Sequence, residues 1–341
     1  MFLVLALLSV LCATVPMLAF LFLVWFLDRH DREPIWLFGL TFLWGAIGSI
    51  LFALIGSSVA MIPLVFACQL AEPLTGVPGA IMADQLSAVL VAPLAEEPMK
   101  ALILFAVMFS RHFDNATDGF VYGAAAGLGF GMTENFLYFV QVASMGDTVS
   151  WLMTVVIRTF FSALMHACAT SCVGAMLGFA RFRGWGWKIA ALPLGFGVAM
   201  GIHATWNGLL TADAFTGSGL FTIFNFILFP LEFLTLFGVF QFALWDERRT
   251  IRRELADEVS NQVMPLGHAQ AIAGYFSRSR AGWLDARIPQ GAYVKAATTL
   301  ALRKHQCRNA SQRAYGFYSD EVLRLRKEIQ ALQALAPGMV G

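Results

Sequence analysis

Glu96 and Glu97 stand side by side, with Lys100 one turn further on, inside the hydrophobic run ADQLSAVLVAPLAEEPMKALILFAVMFS at 83–110. A charged side chain at membrane depth costs roughly 2.5–3.5 kcal/mol on the insertion scale, so three in one apolar helix imply a use for them. Further polar residues recur in other apolar runs: Glu134 in GLGFGMTENFLYF, Arg158 and His166 in RTFFSALMHACAT, and His203 and Asn207 in GIHATWNG. Helical spacing organises each set. Lys100 reaches either glutamate at i+3 or i+4. Phe130, Glu134 and Tyr138 form one ladder, Arg158, Ser162, His166 and Thr170 a second, and His203 shares a face with Asn207.

Such a cluster supports activation of water. A carboxylate shielded from bulk water can act as a general base near neutral pH. A histidine or an asparagine amide can donate to a developing oxyanion. Lys100 and Arg158 would keep the remaining carboxylates ionised and oriented. Alternatively, Glu134, His166 and His203, with one of the paired glutamates, would suit a divalent metal such as zinc, which accepts N and O ligands. No helix carries the two-histidine spacing of a zincin, so a metal would depend on convergence in three dimensions. Plainer readings stand beside these. Glu96, Glu97 and Lys100 taken alone are nearly as well read as an ion-pair knot between helices. A lone buried histidine is most often a hydrogen-bonded core residue. Tyr138 and Trp206 read first as packing aromatics. The conjunction of carboxylates, imidazoles and an amide on four successive segments favours a site.

The elements that carry these residues are membrane helices. Of 341 residues, 58% are hydrophobic and 13% charged, about half the charged fraction of soluble domains. The mean hydropathy is +0.67. An all-α, polytopic bundle is expected, with spans at approximately 3–27, 35–62, 84–109, 118–142, 150–180, 188–211 and 219–245. A short re-entrant or interfacial piece is expected to follow the second. The first run lacks a basic n-region and is too long for a cleavable leader, so it reads as a spanning helix. Connections after the odd spans hold Arg29 and Arg32, then Arg111, then Arg181, Arg183 and Lys188. Those after the even spans hold Glu72, Asp147 and Asp213 and no Lys or Arg. The positive-inside rule then gives N-terminus out and C-terminus in. Counted inward at about 1.5 Å per residue, Glu96 lies about a dozen residues from the outer boundary and Glu134 and His203 about eight. Gly123, Gly127, Gly174 and Gly178 follow the small-xxx-small spacing of closely approaching helices.

Two kinds of material meet near Trp245. Residues 1–245 hold 8 Lys/Arg against 13 Asp/Glu, whereas 246–341 hold 15 against 9. The second part reads as a small, basic, cytoplasmic helical region, with apolar periodicity in 268–279, 291–306 and 318–335 broken at Pro265, Gly282, Pro289 and Ser311. Arg248, Arg249, Arg252 and Arg253 read as a stop-transfer cluster rather than a lipid site. No phosphate loop or nucleic-acid motif occurs. The five cysteines form no secreted disulfide framework, and Cys168 and Cys172 read as packing residues.

At this point the residues resemble a family. EEPMK at 96–100 fits Glu-Glu-x-x-Lys, and GFGMTENFLY at 129–138 fits a block containing Glu134 and Asn135. His166 with Thr170, Gly174 and Gly178 fits a third block, and His203-x-x-Trp206-Asn207 a fourth. DRHDREP at 28–34 is similar to the acidic segment after the first span. Over roughly residues 1–245 the chain resembles the PrsW family of intramembrane proteases, itself similar to CAAX-processing and bacteriocin-processing membrane proteases. Those carry Glu-Glu-x-x-x-Arg, Phe-x-x-x-His and His-x-x-x-Asn; this chain has Lys100 one residue early and Glu134 in the histidine's place, while His203 and Asn207 fit.

The resemblance implies a glutamate-dependent endopeptidase, sometimes labelled a metalloprotease, in a bacterial cytoplasmic membrane. Its substrate would be a membrane-anchored protein, as in anti-sigma-factor proteolysis. The expected roles are Glu96 or Glu97 as base, His166 and His203 as acid and oxyanion stabiliser helped by Asn207, and Glu134, Asn135, Lys100 and Arg158 in support. The competing readings are a proton-coupled transporter or channel, and a non-catalytic sensor signalling through 246–341.

Overall fold

Long apolar runs satisfy their backbone in lipid only as helices, and the chain does so throughout. The computed structural model describes residues 1–28, 33–110, 112–309 and 312–336. Among them there is no β-strand. Seven long helical segments come first: α1 Phe2–Leu27, α2 Ile35–Thr75, α3 79–107, α4 Ala116–Ser144, α5 Thr148–Arg181, α6 Trp185–Thr216 and α7 Leu220–Ser260. α1, α2, α5, α6 and α7 are long and apolar enough to cross a membrane by length and composition. Three smaller helices follow: α8 Leu266–Ala273, α9 Gln290–Asn309 and α10 Gln312–Gln333.

The second segment differs from expectation. α2 is a 41-residue helix ending at Thr75, about 60 Å long at 1.5 Å per residue, and no separate re-entrant piece follows its apolar half. Pro63 and Pro73 sit within it, so proline in this run did not terminate the helix.

α4 is the central element. Every residue from Ala116 to Gly131 is buried, because glycines and alanines let neighbours approach from several sides. A Cβ on Gly123 would lie 2.5 Å from the Thr170 carbonyl oxygen, and Cβ atoms on Gly119, Gly127, Gly174 or Gly178 would run into the facing backbone of α4 or α5. The small-residue spacing read from sequence is thus the seam between α4 and α5. Asn115 caps α4, accepting from the Thr117 and Asp118 amides at 2.6 and 3.2 Å, while Asp118 accepts from the Asn115 amide in a capping box. Large apolar side chains on the outside of α1, α2 and α7, such as Leu7, Ile62 and Phe233, are exposed, as lipid-facing residues must be.

A second core gathers Ile251 and Leu255 of α7 with Ile272, Tyr293, Leu300 and Ile329 of the later helices. The expected division at 245/246 therefore falls inside α7, whose last turns belong to this second core. Arg248, Arg249 and Arg252 are exposed, whereas Arg253 bonds Glu254 at 2.8 Å. Polar contacts join the appendage to the bundle: Arg303 to Asp114 at 3.0 Å and Arg278 to Glu247 at 2.6 Å, both buried, and at the surface the Tyr275 hydroxyl to the Leu27 carbonyl. Arg183 also pairs with Asp246. The connections after α1, α3 and α5 thus gather at the appendage's end of the bundle. Arg29, Arg32, Arg111 and Ser311 lie outside the described residues.

Breaking a buried ion pair from one side costs about 3–5 kcal/mol. Asp114→Ala should therefore lower the melting temperature in detergent and speed proteolysis between 260 and 266. An unchanged melting curve would count against a docked appendage.

Candidate active site

Four helices bring the ionisable residues together. Lys100 Nζ is at the centre, fully buried, at 2.8 Å from Glu97 Oε1, 3.2 Å from Glu96 Oε2 and 3.0 Å from His166 Nδ1. Its remaining side faces the Phe130 ring, 3.9 Å from the centroid. Glu97, also fully buried, accepts from His203 Nδ1 at 2.8 Å and from the Thr170 hydroxyl at 3.4 Å. Glu96 is different: its side chain keeps 14% of its surface, and its Oε2 lies 3.8 Å from His203 Nε2.

The tautomers follow from the partners. An ammonium only donates, so His166 accepts at Nδ1 and carries its proton on Nε2, which donates to Glu134 Oε2 at 2.7 Å. Glu97 is an acceptor, so His203 carries a proton on Nδ1; its Nε2 faces Glu96 and is an acceptor when the ring is neutral. Glu134 also meets Arg158 at 2.6 Å. Asn135 holds that arginine from both sides, accepting from its Nε at 3.1 Å and donating to its carbonyl at 3.3 Å. The Arg158 guanidinium stacks over Tyr138 at 3.7 Å, so this tyrosine is more than a packing aromatic.

Three π turns surround the cluster, at Trp44–Ser49 in α2, Ser87–Val91 in α3 and Arg158–Ser162 in α5. Each widened turn presents a carbonyl to a side chain from another helix. Thr133 donates to Ala46 at 2.7 Å, Asn207 to Ala88 at 2.8 Å and Asn135 to Arg158. The π turn in α5 also offsets the ideal ladder from Arg158 to His166. Thr133 was missed from sequence, because nothing in a periodic pattern marks a π turn or the hydroxyl that completes it.

Every residue singled out from sequence as catalytic or supporting lies in or beside this cluster, with different company from that expected. His166, read as an acid or oxyanion donor, uses both nitrogens on Lys100 and Glu134. Asn207 uses one amide hydrogen on Ala88. For a metal, Glu96, His166 and His203 each offer a donor atom, all within 4.8 Å of one another, so Glu96 rather than Glu134 joins the two histidines. By type that set suits zinc. By hydrogen bonding it does not: His166 has no lone pair left, and Glu96 is already held by an ammonium. The residues as arranged do not fit a divalent ion.

The assembled residues, 96 to 207, lie inside a match to a known family. The model described as PrsW family intramembrane metalloprotease matches residues 33–235. Protease PrsW of Bacillus subtilis (strain 168) is 28% identical over 198 residues, 58% of this chain and 80% of that protein. Protease PrsW of Geobacillus kaustophilus (strain HTA426) is 25% identical over 203 residues, 58% of this chain and 77% of that protein. No solved structure matches. A match over more than half of its length makes this chain a member of the PrsW family, an intramembrane protease.

Proposed function

We propose that the chain hydrolyses a peptide bond of a membrane-anchored protein with a water held between Glu96 and His203. The carrying observation is the 3.8 Å gap from Glu96 Oε2 to His203 Nε2, a spacing that one water can bridge. Both atoms accept hydrogen bonds, so the water would present its own lone pair to a substrate carbonyl carbon. Glu96 takes a proton as the C–O bond forms. It returns that proton to the leaving nitrogen as the C–N bond breaks.

The remaining residues position this pair. Glu97 holds the His203 tautomer through Nδ1, and Lys100 bridges the two adjacent carboxylates and offsets one of their two charges. The second amide hydrogen of Asn207 is left for the developing oxyanion. Arg158, braced by Asn135 and Glu134, borders the partly exposed side of the site. The bundle is read as seven spans, N-terminus out, in a bacterial cytoplasmic membrane, with residues 1–245 as the protease unit and 246–341 as a cytoplasmic appendage. The reaction then takes place in the outer half of the membrane, as in regulated proteolysis of an anti-sigma-factor-like protein.

The test is cleavage of single-pass proteins by the full chain reconstituted in liposomes, with the new termini mapped by mass spectrometry. Cuts in the outer third of the substrate's span are expected. Cuts at its cytoplasmic end would overturn the assigned depth.

A further inference from the structure

The Lys100 ammonium sits in a pocket of acceptors. Lys100 has three N–H donors, and three acceptors surround it: Glu96 Oε2 at 3.2 Å, Glu97 Oε1 at 2.8 Å and His166 Nδ1 at 3.0 Å. The fourth side is closed by the Phe130 π face at 3.9 Å. Each ammonium proton thus has one acceptor, and the face of an aromatic ring lies against the charge. The Lys100 side chain is fully buried.

Two of these acceptors, Glu96 and His166, are with His203 the N and O donors that a zinc ion would use. We propose that Lys100 is the resident cation of this site: its ammonium takes the place of a divalent metal and excludes one. The exclusion is geometric as well as electrostatic. With Lys100 in place, Nδ1 of His166 is an acceptor already in use and Nε2 is a proton donor to Glu134 at 2.7 Å. Neither nitrogen has a lone pair for a metal. A metal at Glu96 and His203 would also sit within a few ångströms of the ammonium, a like-charge approach that a buried site screens poorly. Only if the lysine leaves does the set become a zinc site of one carboxylate and two imidazoles, in which Glu97 would orient His203 through Nδ1, the usual outer partner of a metal-bound imidazole. This inference rests on the water-activating reading above for its importance, and its test is independent of cleavage.

The experiment is zinc binding by the full-length protein in detergent, with zinc ion alone as the probe, a competing chelator, and metal content per chain as the readout. Wild type and Lys100→Met are compared, each with and without His203→Ala. Wild type is expected to retain less than about one-tenth of a zinc per chain, and Lys100→Met about one. Lys100→Met is expected to bind zinc at least about 100-fold more tightly, as an ion relieved of one close like charge at ~3–4 Å should, with the gain abolished by His203→Ala. A folded Lys100→Met that binds no more zinc than wild type would overturn the proposal. So would a wild-type protein holding one zinc per chain that His203→Ala removes. The wild-type pair decides by itself should Lys100→Met not be recovered folded. No arm reads proteolysis, so a failure of the proposed reaction would leave these outcomes untouched.

Discussion

Glu96→Gln should abolish cleavage while leaving the fold intact, and Glu97→Gln should do nearly the reverse. General-base catalysis contributes about 10²–10⁴-fold, and an amide in place of the Glu96 carboxylate cannot take a proton from water. A fall in kcat of about 10³-fold is therefore expected with an unchanged melting temperature. The fold tolerates the change because Glu96 is partly exposed and Lys100 keeps Glu97 as its closer partner, at 2.8 Å against 3.2 Å. Glu97 has no such slack. It is fully buried and carries Lys100, His203 and Thr170. A neutral amide there leaves a buried ammonium one charge short, which costs about 3–5 kcal/mol. It also frees His203 to turn. Lower stability with residual cleavage is expected for Glu97→Gln. The measurement is single-turnover cleavage in liposomes beside thermal unfolding of each variant. A stable, inactive Glu97→Gln beside an active Glu96→Gln would exchange the two roles.

That distinction could not be drawn from the sequence. Adjacent residues on a helix point about 100° apart, so one of the pair must face inward, but the direction depends on which helices pack alongside. The residues that meet at the site were legible, because ionisable groups in apolar runs are costly enough to stand out one by one. The seam that brings them together was legible too, from the four-residue spacing of Gly123, Gly127, Gly174 and Gly178. What periodicity could not carry was the pairing across helices. His166 looked available because its own helix offered it no partner, and its two partners, Lys100 and Glu134, come from α3 and α4. The partner of one Asn207 amide hydrogen was hidden for the same reason. The Ala88 carbonyl that engages it faces it from a π turn, and a π turn leaves no trace in an apolar run. The second span is expected to end near residue 62, with a short separate piece beyond it. Backbone hydrogen bonding continues to Thr75 regardless, since Pro63 and Pro73 interrupt it only locally.

Gly127→Val should be severely damaging although it lies outside the cluster, and it tests whether the α4–α5 seam sets the site's geometry. A Cβ on Gly127 would lie 2.7 Å from the Ala167 Cα and closer still to the His166 carbonyl oxygen. These are backbone atoms, so no rotamer change relieves the clash and the two helices must separate. Overpacking of a tight core costs about 1–3 kcal/mol even where side chains can adjust; at a backbone seam, valine should prevent recovery of folded protein. Gly127→Ala is the informative step. It should force a shift of about 1 Å, and displacement of that size in a catalytic arrangement costs about 10²-fold in rate. The reason is local: Gly127 is seven residues from Glu134, two turns along the same face of α4, and the backbone it presses on belongs to His166 itself. The Glu134–His166 contact at 2.7 Å is the first to open, and with it goes the tautomer that lets His166 accept from Lys100. Gly197 on α6 provides the contrast, with nothing within 4 Å of an added Cβ; Gly197→Ala should leave cleavage unchanged and stability equal or slightly higher, by up to about 1 kcal/mol from helix propensity. Cleavage rates and melting temperatures of the three variants, measured together, check the argument. A Gly127→Ala protein with wild-type kcat would show that the site does not depend on how closely α4 and α5 approach.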